Sequence, residues 1–270
     1  MADVVAPPAP TEPAPDDRAV VVRGLTKSFG DKIAVHGVDL DVPRGSFYGL
    51  VGPNGAGKST TIKMCTALLR PDAGEVWIDG MSVWADTHEA KRRLGVLPDD
   101  LPLFERLTGD EFLTFLGMFR GLEADVVAER SRELLEVLDL TDDARVLVAD
   151  YSTGMRKKIS LAAAVLHAPR VLFLDEPFES VDPVSARTIQ DLLRSFCGAG
   201  GTVVLSSHVM DTVERLCDHV AIVAAGRIVV RGSVDEVRGG RRLEDVFIDA
   251  VGGSHVGSSS LTWLGTDGSA

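Results

Sequence analysis

The chain has 270 residues, of which 45% are hydrophobic and 25% are charged, the composition of an ordinary soluble globular protein. Its formal net charge of −12 argues against general nucleic-acid binding and against electrostatic attachment to a membrane, because both need a basic face. No stretch of the sequence reaches the roughly 20 consecutive apolar residues of a membrane-spanning helix. Three widely spaced cysteines form no metal-binding pattern and indicate buried thiols in a reducing compartment.

The two ends of the chain differ in composition from the middle. Residues 1–18 are rich in Pro, Ala and Asp and predict a disordered leader, without the basic start and apolar centre of a signal peptide. Residues 252–270 are rich in Gly and Ser and predict a flexible tail. Trp263 and Leu264 in that tail are interpreted either as a docking contact or as part of a solvated segment. The folded domain is therefore predicted to span residues 19–251.

Strand patterns dominate the first hundred residues. Alternating apolar residues near Val20 and near Val38 predict two half-buried strands, and the continuous run SFYGLV (46–51) predicts a buried one. EVWI and LGVL predict two more strands. Between them a helix is predicted, with apolar residues at helical spacing at positions Ile62, Cys65, Leu68 and Leu69.

From Thr108 the pattern becomes helical, and about residues 100–168 predict a helical subdomain. Thr108 and Glu111 form a capping box at the start of the first helix. The aromatic stripe on this helix is interpreted as core, although exposed members such as Phe104 or Phe119 would suit a partner protein. A second helix is predicted around Leu134, Leu135 and Leu138, and a third after YSTGM (151–155).

Strands then alternate with helices. VLFLD (171–175) and TVVLSSH (202–208) predict buried strands, separated by a helix that Asp182 caps and Pro183 begins. HVAIVAAG and RIVV predict a closing pair of strands, Ser233 and Glu236 box a short helix, and LEDVFIDAV predicts a last helix. This order predicts an α/β fold whose mainly parallel sheet carries an inserted α-helical subdomain.

The segment GPNGAGKS (52–59) matches the phosphate-binding loop pattern G-x-x-x-x-G-K-[S/T], between a predicted strand and a predicted helix. Its glycines allow backbone N–H groups to surround phosphate oxygens, Lys58 supplies a charge to the β and γ phosphates, and Ser59 offers a hydroxyl to Mg²⁺. The alternative is a glycine turn that happens to precede a lysine. The residues predicted to bind nucleotide here are Gly52, Pro53, Asn54, Gly55, Ala56, Gly57, Lys58, Ser59 and Thr60.

The run LFLDEP places Asp175 and Glu176 at the C-terminal end of a buried strand, where ligands bind in parallel sheets. Because adjacent strand residues point to opposite sides, the two carboxylates are expected to have different roles. Asp175 would hold Mg²⁺ through water, and Glu176 would act as general base on the attacking water. His208 ends the next strand and would reach the γ-phosphate. The alternatives are a carboxylate pair that caps a turn and a structural histidine.

The segment YSTGMRKK (151–158) raises a question of charge. Arg156, Lys157 and Lys158 are predicted in the first turn of a helix, where the helix dipole favours anions over cations. The pattern indicates an anion that the loop itself does not contain. A solvated basic patch is the alternative interpretation.

GPNGAGKST, YSTGM, LFLDEP, the SVDP turn and His208, in this order, resemble the ATP-binding subunits of ABC transporters over residues 20–251. The resemblance implies a P-loop NTPase core with an N-terminal antiparallel β subdomain, and an ATPase that uses ATP and Mg²⁺. It also implies that Phe29 stacks on adenine. LEDVF and the YS-x-GM variant resemble the branch that exports drugs, lipids or polysaccharides.

The resemblance further implies that two subunits associate head to tail. Ser152 and Gly154 would contact the γ-phosphate bound by the other subunit, and Asp182 would contact that subunit. The partners implied are a second copy of the chain, or a homologous ATPase subunit, and an integral-membrane permease on another chain. The protein would then lie on the cytoplasmic face of the cell membrane, attached through that permease, and would bind no nucleic acid.

The sequence departs from the family pattern at three places, one of which is Phe178 and Glu179, where small polar residues usually follow the proline of LFLDEP. Tyr151, Thr153 and Met155 replace the first, third and fifth residues of the usual LSGGQ signature. Asp99 stands where a glutamine usually links the metal site to the helical subdomain. Asp99 is interpreted either as a ligand of Mg²⁺, directly or through water, or as part of an exposed turn with Asp100. An uncompensated carboxylate there would repel phosphate.

Two other functions are compatible with the motifs. One is a soluble ABC-type ATPase that acts on ribosomes or DNA, although the acidic composition and the lack of tandem domains, coiled-coil insert and zinc cysteines argue against it. The other is a non-hydrolysing regulatory subunit, which Asp99 favours and which Glu176 and His208 argue against. The substrate of transport is not predicted, because the family binds it on the membrane subunit.

Overall fold

The computed structural model describes residues 17–99 and 103–252. Most of the predicted leader and tail, with Trp263, Leu264 and Asp100, lies outside these residues. Arg18, the last residue of the predicted leader, already begins the first strand. The ten strands of the described part are β1 (Arg18–Phe29), β2 (Lys32–Pro43), β3 (Phe47–Val51), β4 (Ala73–Ile78), β5 (Met81–Ser82), β6 (Leu94–Leu97), β7 (Val171–Leu174), β8 (Thr202–Ser207), β9 (His219–Ala224) and β10 (Arg227–Ser233).

The helices have clear boundary signals in the sequence. Thr108 and Ser233 each form the predicted capping box, and Asp182 caps the helix that Pro183 begins. The nine helices of the residues described are α1 (Lys58–Cys65), α2 (Thr87–Arg93), α3 (Gly109–Phe119), α4 (Ala124–Val137), α5 (Thr153–Val165), α6 (Pro183–Gly198), α7 (Met210–Leu216), α8 (Val234–Arg238) and α9 (Leu243–Val251). None of them is long and apolar enough to cross a bilayer.

Two sheets form the scaffold. The first has the order β2-β1-β4-β5 and is antiparallel throughout. The second has the order β10-β9-β3-β8-β7-β6, and its strands are parallel except for the closing pair of β9 and β10. The three helices α3, α4 and α5 follow one another between β6 and β7. The predicted fold class is therefore confirmed: a P-loop NTPase core with a mainly parallel sheet, an antiparallel N-terminal sheet and helices inserted between two parallel strands.

Three apolar clusters hold these layers together. The first joins the two sheets through α1, with Leu25 and Ile78 of one sheet and Phe173 of the other fully buried. The second covers the opposite face of the parallel sheet with α6, α7 and α9. The third lies among α3, α4 and α5 and includes Phe112 and Ile159. Full burial of a large apolar side chain contributes about 1.5–3 kcal/mol, so each cluster stabilises its own layer contact.

A buried carboxylate also links the two sheets. Asp79 follows β4, its side chain is 2% exposed, and it forms ion pairs with Arg44, Arg93 and Arg170. Burial alone would raise the pKa of Asp79, but the hydrogen bond and charge of Arg44, with the other two guanidinium groups, hold it below its ordinary value. Because three guanidinium groups share this carboxylate, the loss of any one of them leaves the buried charge partly compensated.

Two predicted patterns differ from the structure. The helix that was predicted to include Leu68 and Leu69 ends at Cys65, since Ala67 adopts a positive φ of 55° that an α-helix cannot contain. Leu68 is consequently 55% exposed. The aromatic stripe of α3 is divided, because Phe112 is buried whereas Phe115 and Phe119 are exposed.

Candidate active site

The phosphate loop connects the end of β3 to the start of α1 and is packed closely on both sides. A Cβ atom at Gly52 would lie 2.4 Å from the carbonyl oxygen of Val223, and one at Gly57 would lie 2.5 Å from that of Ala34. Gly57 also has a φ of 106°, which L side chains rarely adopt. Close packing therefore requires Gly52 and Gly57, and the loop is held at the N-terminus of α1, where backbone N–H groups favour anions.

Lys58 folds back over this loop. Its side chain is 6% exposed, and its Nζ atom donates to the carbonyl oxygen of Gly52 at 2.7 Å. The same Nζ lies 3.4 Å from Oε1 of Glu176. The lysine charge is thus placed between the phosphate loop and the carboxylate predicted to act as general base.

Asp175 directly follows β7 and is almost completely buried. Its Oδ1 atom accepts hydrogen bonds from the hydroxyl of Ser59 at 3.0 Å and from that of Ser206 at 2.5 Å. Its Oδ2 atom is buried and has no hydrogen-bond partner among the residues described. A buried carboxylate oxygen without a partner is costly, and a cation would satisfy it. The oxygen donors Asp175 and Ser59 therefore suit Mg²⁺.

Glu176 has an unusual backbone conformation. The strand ends at Leu174, and Glu176 has a positive φ of 46°, so the side-chain alternation that was expected of a strand does not apply to these two residues. Both carboxylates instead contact consecutive residues of the phosphate loop: Asp175 contacts Ser59, and Glu176 contacts Lys58. The different roles predicted for them stay a prediction.

His208 completes the group around Glu176. Its Nδ1 atom lies 3.1 Å from Oε2 of Glu176, and its side chain is 39% exposed. The exposed imidazole therefore adjoins the same carboxylate that faces Lys58. The structure brings together five residues from three separate motifs of the sequence: Lys58, Ser59, Asp175, Glu176 and His208.

Ser206 is a member of this group that the sequence analysis missed. It is fully buried, its hydroxyl donates to Asp175, and its Oγ accepts the backbone N–H of Glu176 at 2.9 Å. The available signal was a pair of serines at the end of a buried strand, one strand away from the carboxylates.

The YSTGM segment forms a second, separate part of the candidate site. Ser152 is exposed and caps α5 by accepting the backbone N–H of Met155. Gly154 is buried against the start of α6, where an added Cβ atom would lie 2.9 Å from Oδ2 of Asp182. Within ranges 17–99 and 103–252, no hydrogen bond or ion pair joins Ser152, Gly154 or Asp182 to the phosphate loop. Asp182 caps α6, and the backbone N–H of Ser185 holds its pKa below the ordinary value.

The cations that follow YSTGM have partners within the chain. Because the helix begins at Thr153 and not after Met155, Arg156 is its fourth residue and the lysines lie in the second turn. Arg156 donates to the carbonyl oxygens of Ala149 and Tyr151 and pairs with Glu105. The structure corrects the expectation of first-turn cations, and it supplies anions from the chain itself.

Lys157 is bound differently, and Lys158 is buried. The Nζ atom of Lys157 donates to the backbone carbonyl oxygen of Glu176 at 3.2 Å and lies 3.7 Å from Oδ1 of Asp99. Asp99 is consequently not an uncompensated carboxylate. Its predicted role as a ligand of Mg²⁺ stays a prediction.

Phe29 ends β1 beside the turn to β2. Its side chain is half exposed, and the Nζ atom of Lys27 lies 5.8 Å from the centre of its ring. Pro53, Asn54 and Gly55 are the exposed residues of the phosphate loop. An exposed aromatic ring is compatible with stacking on a base, which stays a prediction for Phe29.

Comparison with known proteins identifies relatives of this chain. The profile of the ABC transporter family matches residues 35–179. A daunorubicin resistance ATP-binding protein from Streptomyces coeruleorubidus is 40% identical over 237 residues, which cover 87% of this chain and 75% of that protein. A linearmycin resistance ATP-binding protein from Bacillus subtilis (strain 168) is 36% identical over 211 residues, which cover 78% of this chain and 68% of that protein. A Nod factor export ATP-binding protein I from Burkholderia lata is 37% identical over 211 residues, which cover 78% of this chain and 69% of that protein.

Solved structures agree with the sequence relatives. A structure described as the ATP binding subunit of an ABC transporter matches with a TM-score of 0.80 at 30% identity, covering 86% of this chain and 99% of that chain. An ATP-binding cassette of an ABC transporter in its ADP conformation matches with a TM-score of 0.71 at 24% identity, which concerns the fold alone. The resemblance seen in the sequence is thus confirmed: this chain belongs to the ABC transporter family and is one of its ATP-binding subunits.

Proposed function

We propose that this chain binds and hydrolyses ATP with Mg²⁺ and thereby powers export by a separately encoded membrane permease. The observation that carries the proposal is the convergence of Lys58, Glu176 and His208 with the Ser59–Asp175 pair on one loop. The names of the relatives support the direction of transport, since they refer to drug resistance and to Nod factor export.

Each residue of the group would have a distinct task in hydrolysis. The phosphate loop would bind the β and γ phosphates through backbone N–H groups, and Lys58 would exchange its contact with Gly52 for phosphate oxygens. Glu176 would accept the proton of the attacking water, and His208 would hold the Glu176 carboxylate in position and face the γ-phosphate. Ser59 and Asp175 would hold Mg²⁺, which when bound neutralises charge on the phosphates.

Ser152, Gly154 and Asp182 would act on a second copy of the chain. Ser152 is exposed, and the N–H of the buried Gly154 has no protein acceptor within the residues described, which supports a phosphate bound elsewhere as their partner. Because the chain carries both the phosphate loop and this surface, two copies arranged head to tail would complete two sites. Closing and reopening of this dimer would then drive the permease.

An exposed apolar cluster on the helical insert is the proposed contact with the permease. Phe104 and Phe115 have ring centres 5.1 Å apart, and those of Phe115 and Phe119 are 6.2 Å apart. These three side chains and Met118 are between 45% and 77% exposed. Contiguous exposed apolar groups of this kind mark protein interfaces. The chain would thus associate with the cytoplasmic face of the membrane through its permease.

The dimer is tested with Glu176→Gln, which should bind ATP but hydrolyse it slowly. The solution mass would be measured by light scattering with MgATP, with MgADP and without nucleotide. We expect a monomer that becomes a dimer only with ATP. Adding Ser152→Arg should abolish the dimer, whereas Ser195→Arg, at an exposed position on α6, should not. A Glu176→Gln protein that binds ATP and stays monomeric would contradict self-pairing.

A further inference from the structure

Lys157 is the contact between the helical insert and the backbone of Glu176. Its side chain is 14% exposed, and its Nζ atom donates to the carbonyl oxygen of Glu176. It extends from the second turn of α5, the helix that Ser152 caps.

The backbone of Glu176 needs external support. A non-glycine residue with positive φ is held in a conformation that costs on the order of 1–3 kcal/mol and persists only where its surroundings fix it. The peptide groups of Glu176 form three hydrogen bonds: its N–H donates to Ser206, and its carbonyl oxygen accepts from Lys157 and from the N–H of Glu179 in the turn that follows. Ser206 belongs to the parallel sheet, so Lys157 alone provides this support from the helical insert in the part of the chain that is described.

Asp99 completes the arrangement. It follows β6, at the point where the chain leaves the sheet for the helical insert, and Oδ1 lies 3.7 Å from Nζ of Lys157. Its side chain is 47% exposed, so the ion pair by itself contributes little to stability. The ion pair instead orients the lysine side chain, because the Nζ atom that faces Asp99 also donates to the carbonyl oxygen of Glu176.

We propose that Lys157 is a positioning residue for Glu176, with Asp99 as the counter-charge that orients it. Lys157 then positions the general base of the chain's own site, and it extends from α5, whose N-terminus would contact the nucleotide bound by the second copy of the chain. A shift of α5 relative to the sheet would move the backbone of Glu176 with it. The inference rests on the proposed function, since it assumes that Glu176 is the base in ATP hydrolysis.

The first test is Lys157→Met, which removes the charge and keeps an unbranched side chain. Loss of a charged hydrogen bond that places the base should lower kcat about tenfold and leave KM for ATP within about twofold. Lys157→Arg, which retains a donor and the charge, should recover most of the rate. Lys91→Met is the matched control, since Lys91 is partly buried and its side chain has no hydrogen bond or ion pair among the described residues. Its kcat should equal that of the unaltered protein.

Thermal unfolding and the binding of a fluorescent ATP analogue would be measured for each variant. Positioning predicts an unchanged Tm and unchanged affinity with a reduced kcat. A Lys157→Met protein that hydrolyses ATP at the normal rate would overturn the inference and leave the proposed function intact. A decrease in Tm and affinity together with kcat would also overturn it, because it would indicate a general structural role.

Asp99→Asn provides the second test. If Asp99 acts through Lys157, Asp99→Asn should change kcat in the otherwise unaltered protein and should hardly change it in the Lys157→Met variant. Multiplicative effects of the two substitutions, with a raised requirement for Mg²⁺ in Asp99→Asn, would contradict the counter-charge role. An unaltered protein that binds ATP but hydrolyses none, alone or as a dimer, would refute the proposed function and the inference with it.

Discussion

Replacing Ser206 with alanine removes one hydroxyl that serves both carboxylates of the site. The hydroxyl donates to Oδ1 of Asp175 at 2.5 Å and accepts the backbone N–H of Glu176 at 2.9 Å. Ser206 is fully buried, so water does not replace it without entering the core. After the substitution Asp175 keeps the hydroxyl of Ser59, and the N–H of Glu176 keeps no acceptor.

The expected loss of stability follows from these two bonds. A hydrogen bond to a charged carboxylate contributes about 1.5–3 kcal/mol, and a buried N–H left without an acceptor costs about 1–3 kcal/mol. Because both bonds share one oxygen atom and the backbone relaxes in part, we expect the free energy of unfolding to fall by about 3 kcal/mol. We also expect kcat to fall, since the backbone N–H of Glu176 loses its acceptor.

The measurement is equilibrium unfolding in urea without nucleotide, followed by ATPase assays on the folded protein. Ser207→Ala is the matched control, because Ser207 is the next residue of the same strand and its Oγ accepts only the backbone N–H of Val209. We expect a loss of about 1 kcal/mol for that variant. If Ser206→Ala loses no more than Ser207→Ala, the hydroxyl does not support the two carboxylates as described.

Two further predictions concern pH and packing. Burial lowers the pKa of His167 from 6.5 to about 4, so the unfolded chain takes up this proton at higher pH than the folded chain does. Stability should therefore fall by about 2 kcal/mol as pH falls from 7.5 to 5, and urea unfolding of His167→Gln should lack this part of the decrease. Gly154→Ala would place a Cβ atom 2.9 Å from Asp182 and should lower the free energy of unfolding by about 1–2 kcal/mol. Gly198→Ala, where a Cβ atom meets nothing within 4 Å, should not lower it.

The fold was predictable because its signals are local or follow one another in a fixed order. The phosphate loop needs only one strand, eight residues and one helix, and the capping residues Thr108, Asp182 and Ser233 mark helix starts within four residues. The end of α1 was not predictable in this way. Apolar spacing continues to Leu69, and only the positive φ of Ala67 ends the helix earlier.

The site residues that belong to a sequence motif were predictable, whereas those that only the folded arrangement of strands brings to the site were not. Lys58, Asp175 and Glu176 each belong to a short pattern with a chemical reason, and the structure brings them together. Ser206 lies in no such pattern, and its contacts depend on strands β7 and β8 being neighbours. The backbone conformation of Glu176 was equally hidden, because the strand ends one residue earlier than the sequence pattern does.

Asp99 and Lys157 show how two apparent anomalies in a sequence can explain each other. A carboxylate where the family has an amide and a lysine near the start of a helix are each unfavourable when considered alone. They lie on different elements, separated by most of the helical insert, and no periodicity relates them. In the structure the charge of Lys157 meets that of Asp99 at 3.7 Å, so neither charge needs a partner from outside the chain. The anion that we propose a neighbouring subunit supplies would then be bound by the N–H groups near Ser152 and Gly154, and not by the cations that follow them.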